Sequence, residues 1–413
     1  MNMTNPSIRA DCCDVAIIGG GPAGSAAATF LQRSGHECVV LERSAFPRYS
    51  VGESLVPHSY GTLSRLGLVA KLRASQFIPK HSVRFVSIDG TDSAPFYFSE
   101  TIEGQAAQTW QVERGEFDAM CLDHAAESGV DVRMASMVST VSFDGDQATG
   151  VRVRSGDSSY ELDARVVLDA SGRANVIGHQ LELQEPIPSL RKRSYWSYYR
   201  GGLRGEGLDA GETTILLLPH GSWAWYIPLP EDIISVGLVG SREHLCPEVP
   251  AEEAFVKLVA CSEGLATRLR DADRVAPVRG GSRDLAYRNL QTVGDGWAML
   301  GDARAFLDPI YSSGMFLALE SAEQAAICVH AALQKGDLSE AQLGVFEPRF
   351  NSGVAVISRL IHAFYDPGFS FGRFLARYPE QRKSLIDCLV GDVFKDMSPF
   401  TEALDAIASD ALP

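Results

Sequence analysis

Three short stretches, far apart in the chain, carry residue types that could do chemistry. Gly19-Gly20-Gly21-Pro22-Ala23-Gly24 fits the pattern G-x-G-x-x-G. In such a turn Gly19 permits the tight bend, Gly21 lets a pyrophosphate approach the backbone, and Gly24 allows a helix to lie close on a strand. The helix start, with Ala23 in it, faces the phosphates with its positive end. Glu42 follows at the spacing of an acid that holds a ribose hydroxyl pair. That chemistry is dinucleotide binding. The second stretch is Asp169-Ala170-Ser171-Gly172-Arg173, and the third is Gly301-Asp302 with Asp308-Pro309-Ile310-Tyr311-Ser312-Ser313-Gly314 behind it.

Elements of alternating type are needed to position these residues. Residues 15–18 read as a strand, 25–33 as a helix and 39–41 as a second strand closing on Glu42, which makes a βαβ unit. Residues 117–128 are helix-like, while 130–134 and 162–168 are strand-like and should rejoin the first sheet. From about 185 to 285 the pattern turns to aromatic-rich alternating strands, including 214–218, 223–228 and 233–240, and predicts a second sheet. A strand at 297–300 runs into Gly301-Asp302, a long apolar helix follows from 315 to 333, and the remainder from 341 is helical with breaks at Pro367-Gly368 and Pro379.

The composition restricts the function. A chain of 413 residues exceeds what one hydrophobic core usually serves, so two closely packed domains are expected. With 45% hydrophobic and 22% charged residues it reads as an ordinary enzyme. A net charge of -15 argues against a nucleic-acid partner, which would call for clustered Lys and Arg. No uninterrupted apolar run reaches the roughly 18 residues of a membrane span. The start, with Arg9 and Asp11 ahead of Cys12 and Cys13, lacks the apolar core of a signal peptide, so a cytoplasmic location is expected. Eight cysteines, Cys246 among them, show no CxxC pair and no zinc-type spacing, and no metal site is expected.

The GxGxxG unit with Glu42, the turn at 169–173 and Gly301-Asp302 occur in the order found in flavoprotein monooxygenases. Within that superfamily the chain resembles the flavin-dependent halogenases, in the branch that modifies pyrrole or phenol rings held on carrier proteins. Trp223-Ala224-Trp225-Tyr226-Ile227-Pro228 fits the halogenase pattern WxWxIP without a mismatch. Trp223 and Trp225 alternate onto one strand face. The resemblance implies that Trp223, Trp225, Ile227 and Pro228 wall substrates off from the flavin. Lys80, in Phe77-Ile78-Pro79-Lys80-His81-Ser82-Val83-Arg84-Phe85, resembles the halogenase segment where a Lys precedes a Gly and an aromatic; His81 and Ser82 stand where the Gly would be.

The resemblance implies FAD as cofactor, held by Gly19, Gly21, Ala23, Gly24 and Glu42. Arg43, Arg48, Ser54 in the Gly52-Glu53-Ser54 stretch, Arg114, Asp302 and Gly314 would complete that site. It also implies that reduced FAD and O2 give a C4a-hydroperoxide, that halide attacks the distal oxygen, and that hypohalous acid leaves for the substrate. Lys80 is the implied catalytic residue: an amine or ammonium there hydrogen-bonds the acid or becomes a haloamine and places the halogen beside one ring carbon. Residues 309–314 resemble the halide-binding turn, with Ser312, Ser313 and Gly314 meeting chloride or bromide. Tyr311 stands where tryptophan halogenases carry a Glu, which argues against free tryptophan as substrate and leaves the general base unassigned.

The expected fold is α/β: a Rossmann-like FAD-binding domain of the GR2/hydroxylase type, an inserted β-sheet substrate domain and a helical C-terminal cap. Residues 1–76, 105–184 and 286–340 would form the first, 77–104 and 185–285 the second, and 341–413 the third. The expected activity is FADH2- and O2-dependent halogenation of an electron-rich aromatic ring, pyrrole or phenol, free or carrier-bound. A flavin-dependent aromatic monooxygenase acting on a small molecule or a protein side chain is the alternative. No second GxGxxG unit is present for a nicotinamide donor, so a flavin reductase is the expected partner. Docking of an acidic carrier would need a local basic patch at Arg191-Lys192-Arg193 or at Arg200 and Arg204.

Overall fold

The structure, a computed structural model, describes residues 11–245, 248–280 and 284–410; Arg9 and Cys246 lie outside them. The opening strand is wholly apolar and buried from Val15 to Ile18 because that half sits mid-sheet, where parallel strands are covered on both faces. Asp11–Ile18 runs parallel to Cys38–Leu41 on one side and to Ser158–Asp169 on the other. The sheet continues in parallel to Asp131–Arg133 at one end and Trp297–Met299 at the other. This order brings the carboxyl ends of three strands together, and with them all three motifs. Backbone hydrogen bonds join them: the Ala170 N–H donates to the Ile18 carbonyl at 3.0 Å and the Leu300 N–H to the Asp169 carbonyl at 2.8 Å.

The helix Pro22–Arg33 starts at Pro22, whose missing N–H costs nothing at that position. Its alanines pack in one core with Ile17 on the sheet and with the helix Ser313–Lys335. That second helix has the length and hydropathy of a membrane span, yet Leu319, Ala322, Ala326 and Val329 are buried in the same core. The helix expected over 117–128 is Arg114–Glu127, capped by Ser128; it begins earlier because the Glu113 carboxylate accepts from the Gly115 and Glu116 N–H groups. An antiparallel hairpin, Ser136–Asp144 with Gln147–Ser155, extends Ser158–Asp169 and was not foreseen.

The second sheet runs Asp273–Arg274, Lys192–Arg200, Ile233–Ser241, Ser222–Leu229, Thr213–Leu218, Ser82–Val86 and Phe96–Tyr97. Ser222–Leu229 lies in its middle with every residue buried. One face of that strand, with Trp223, Trp225 and Ile227, packs against Leu360, Phe374 and Leu385 of the C-terminal helices; the other, with Ala224 and Tyr226, packs against Phe255 and Leu265. The Trp225 indole lies over Gly237 on the paired strand, where an added Cβ would come within 2.0 Å of the ring. Gly237→Ala is therefore expected to destabilise the FAD-free protein by about 1–3 kcal/mol, read as a lower urea midpoint. An unchanged midpoint would mean that the indole does not rest there.

The remainder of the chain is helical, as expected, with Glu347–Tyr365, Phe371–Arg377, Arg382–Val390 and Ser398–Asp410 as its main helices. Part of the candidate basic patch is engaged by carboxylates, while Arg200 stays exposed. Arg191 and Arg193 both bind Asp284, and Arg204 donates to the Leu229 and Ile233 carbonyls and pairs with Asp232.

Candidate active site

A cleft of about 1710 Å³ opens between the two sheets. Its phosphate end is lined by Gly19, Gly21, Ala23, Glu42, Arg43 and Arg48, its middle by Ser54, Arg114 and Asp302, and its far end by Trp223, Trp225, Ile227, Ser312, Ser313 and Gly314. Gly24, Lys80 and Pro228 stand behind this surface. The glycine turn meets its steric requirement. Gly19 has φ +101°, and a Cβ on Gly24 would sit 1.9 Å from the Gly19 carbonyl oxygen. Gly21 caps the helix without a side-chain bond, which leaves the first-turn amides open to a ligand. Glu42 is buried and accepts from the Gly20 N–H and the Ser44 N–H, both at 2.8 Å. Each of its oxygens keeps a further lone pair for a ribose hydroxyl. These features fit a dinucleotide.

Arg48 and Arg114 both bind the fully buried Asp118, at 3.2 Å and 2.8 Å. Arg114 also donates to the Val51 carbonyl at 2.7 Å, so it is locked in place where it meets the cleft. Arg43 is exposed at the rim and has no ion pair among the described residues. Burial raises the Asp302 carboxyl above the usual carboxylate range, against the opposing pull of Arg114 and Arg173.

Lys80 ends the strand Ile78–Lys80, paired across to Thr109. It is 3% exposed and has no carboxylate partner among the described residues. The ammonium donates to Ser54 Oγ at 2.8 Å and to the Leu55 carbonyl at 3.2 Å, and lies 5.4 Å from the centre of the Phe98 ring. Burial pulls its pKa down to about 7. Ser54 Oγ lies 2.9 Å from Thr213 Oγ1, and these two hydroxyls belong to the cleft wall in front of Lys80. Beside them Thr109 Oγ1 and Gln111 Oε1 are buried without a hydrogen-bond partner among the described residues. The lysine thus reaches the cleft through two hydroxyls, in a pocket with unused acceptors.

At the far end the turn before helix Ser313–Lys335 places Ser312 in the left-handed region, φ 54°. The Ser312 N–H is already given to the Pro309 carbonyl at 3.0 Å, whereas the Ser313 and Gly314 amides belong to the first turn, where no helical carbonyl can satisfy them. A Cβ on Gly314 would meet nothing within 4 Å, so this turn opens onto the cleft.

The same turn contains a carboxylate whose role no sequence spacing announces. Asp308 is buried, accepts the Ile310 N–H at 3.0 Å, and accepts the Tyr365 hydroxyl at 2.9 Å. Tyr365 in turn accepts the Trp223 indole N–H at 2.8 Å. The halide-type turn and the tryptophan wall are thereby one hydrogen-bonded unit. Burial pushes the Asp308 carboxyl from its ordinary 3.8 up to about 7, against Tyr365, Ile310 and the Lys192 charge. The folded protein therefore keeps a proton that the unfolded chain has already released. The associated stability is full below about pH 4 and is lost as pH rises to about 7. Asp308→Asn is expected to lack this decline when urea midpoints at about pH 5 and about pH 8 are compared with wild type. Equal pH dependence in both proteins would contradict the assignment.

The family described as FAD binding domain matches residues 12–196. The chain is 30% identical to the 1H-pyrrole-2-carbonyl-(peptidyl-carrier protein) chlorinase of Pseudomonas fluorescens, over 96% of this chain and 94% of that one. It is 28% identical to the corresponding brominase of Pseudoalteromonas luteoviolacea over 92% of each. It is also 32% identical to a tryptophan 2-halogenase of Chondromyces crocatus, over 85% of this chain and 67% of that one. Among solved structures, the flavin-dependent brominase Bmp2 superposes with a TM-score of 0.86 at 28% identity, covering 97% of this chain and 98% of its own. A dinucleotide cleft walled by paired tryptophans, a buried amine behind two hydroxyls and similarity over more than nine-tenths of the two pyrrole-carrier enzymes agree: this chain is an FAD-binding enzyme and belongs to the flavin-dependent halogenases.

Proposed function

We propose that this enzyme halogenates a pyrrole or phenol ring presented on a carrier protein, with reduced FAD delivered in the cytoplasm by a separate flavin reductase. The observation that carries the chemistry is the buried Lys80, with a pKa near 7, joined to the cleft through Ser54 and Thr213. The substrate class is supported by coverage: both pyrrole-carrier halogenases match over more than nine-tenths of their length, whereas the tryptophan halogenase matches over 67% of its own. Tyr311, in place of a Glu, points the same way. The relatives favour halogenation over oxygen transfer.

Bound in the cleft, reduced FAD supplies the electrons and the oxygen activation that turn halide into hypohalous acid. The Ser313 and Gly314 amides hold the halide at the helix start. Glu42, Arg43, Arg48, Arg114 and Asp302 hold and orient the dinucleotide. Trp223 and Trp225 keep the aromatic ring away from it. Lys80 receives the hypohalous acid and presents it to one ring carbon. The division that goes with this reading assigns 1–76, 105–184 and 286–340 to cofactor binding, 77–104 and 185–285 to the substrate sheet, and 341–413 to the helical cap. It is supported by the two separate sheets.

The test is mass spectrometry of products formed with FAD, a flavin reductase, NADH, O2 and bromide, from pyrroles and phenols supplied both free and on a carrier. A bromine isotope doublet on the carrier-bound ring is the expected result. Bromination of the free compounds alone would overturn the carrier assignment, and no bromination of any would overturn the whole reading.

A further inference from the structure

Halogenation consumes a proton. One aromatic C–H, one halide, one O2, one FADH2 and one proton become an aryl halide, FAD and two waters. A cleft built to keep hypohalous acid from escaping must still admit that proton on every cycle.

Among the described residues that line the cleft, two carboxyls lead on to phenols: Asp308 and Glu53. The Asp308 line ends at the Trp223 indole N–H, which can donate a hydrogen bond but cannot accept one. The Glu53 line does not end. Glu53 is 2% exposed and lines the cleft beside the tryptophan wall, where Ser235 accepts the Trp225 indole N–H at 3.0 Å and lies 3.5 Å from Glu53 Oε1. The Tyr198 hydroxyl donates to Glu53 Oε1 at 2.8 Å, and the Tyr49 hydroxyl lies 3.1 Å from that of Tyr198. Tyr49 is 43% exposed, accepts the Trp196 indole N–H, and has the Arg279 guanidinium 4.0 Å from its ring centre. Each phenol both donates and accepts, which a proton path requires.

We propose that Glu53, Tyr198 and Tyr49 form the proton path of the cleft. Glu53 releases its proton into the cleft; Tyr198 then passes its own hydroxyl proton to Glu53 and takes one from Tyr49, which takes one from solvent. No group ends the cycle altered, and one proton has moved inward. Burial favours the protonated state of Glu53 that such a donor needs, although the Tyr198 and Gly52 hydrogen bonds and the Arg114 charge oppose it. The path rests on the halogenation reading, and the test separates the two.

Wild type, Glu53→Gln, Tyr198→Phe and the surface variant Tyr49→Phe are each assayed as holoenzymes with bromide. A 1,3-diketone serves as scavenger of hypohalous acid, and small weak acids are added as proton sources. Glu53→Gln and Tyr198→Phe are expected to slow scavenger bromination about 100-fold. FAD affinity should stay at the wild-type value, and the rate should recover in proportion to added weak acid; Tyr49→Phe should show the same pattern. Independently of turnover, the FAD-free protein should show an infrared band of a protonated carboxylic acid that Glu53→Gln removes and Tyr198→Phe shifts. Unchanged rates in the variants, a rate loss that no weak acid restores, or a band unaffected by Glu53→Gln would overturn the path. A wild type that brominates nothing would instead overturn the halogenase reading.

Discussion

Lys80→Met is expected to form hypohalous acid at close to the wild-type rate and yet to brominate its aromatic substrate at least about 100-fold more slowly. The methionine fills the volume of the lysine stem, and it removes a buried amine that no carboxylate among the described residues pairs with, so the fold should tolerate it. What disappears is the amine that meets Ser54 Oγ from behind the cleft wall, while the Gln111 amide that donates to Thr213 Oγ1 stays in place. Hypohalous acid should then reach solvent and appear on an added scavenger. The pair of readings is the test, and full-rate ring bromination by Lys80→Met would show that the halogen reaches the substrate by another route.

Gly24→Ala should yield a colourless protein with FAD affinity lowered by about 100-fold or more, equivalent to about 2.7 kcal/mol. The added Cβ would stand 1.9 Å from the Gly19 carbonyl oxygen and close to Ile17. Both the oxygen and its carbon are backbone, with no flexible tip to swing aside, so either the helix Pro22–Arg33 or the turn must move. Either movement displaces the amides that face the pyrophosphate. Gly314→Ala is the control, because a Cβ there meets open space and the amide is kept; it should remain yellow. Flavin fluorescence titration reads both, and tight FAD binding by Gly24→Ala would contradict the placement of the cofactor at this turn.

Much of this site could be read from the chain because its signals are local. The six residues 19–24 state their own backbone requirement, and Trp223 with Trp225 declares a single strand face. The same locality explains what the sequence does not announce. Lys80 acquires its character from Ser54, Leu55 and Phe98, which no spacing near Lys80 announces. Asp308 gains its role from Tyr365, 57 positions away, and Glu53 from Tyr198, 145 away. The strand Lys192–Arg200 is not legible because charged residues stand at both its ends, and the Asp284 partner of Arg193 lies 91 positions away. The hairpin Ser136–Asp144 with Gln147–Ser155 mixes exposed and buried residues irregularly around its register shifts, so it lacks the clean alternation of a half-buried strand.

The most direct test of the central claim is a single incubation with reduced FAD, bromide and oxygen-18-labelled O2, followed by mass spectrometry of the aromatic product. The expected product carries the bromine isotope doublet and no oxygen-18, because the oxygen leaves as water. A product that gains oxygen-18 and forms equally well without bromide would show instead that the cleft transfers oxygen.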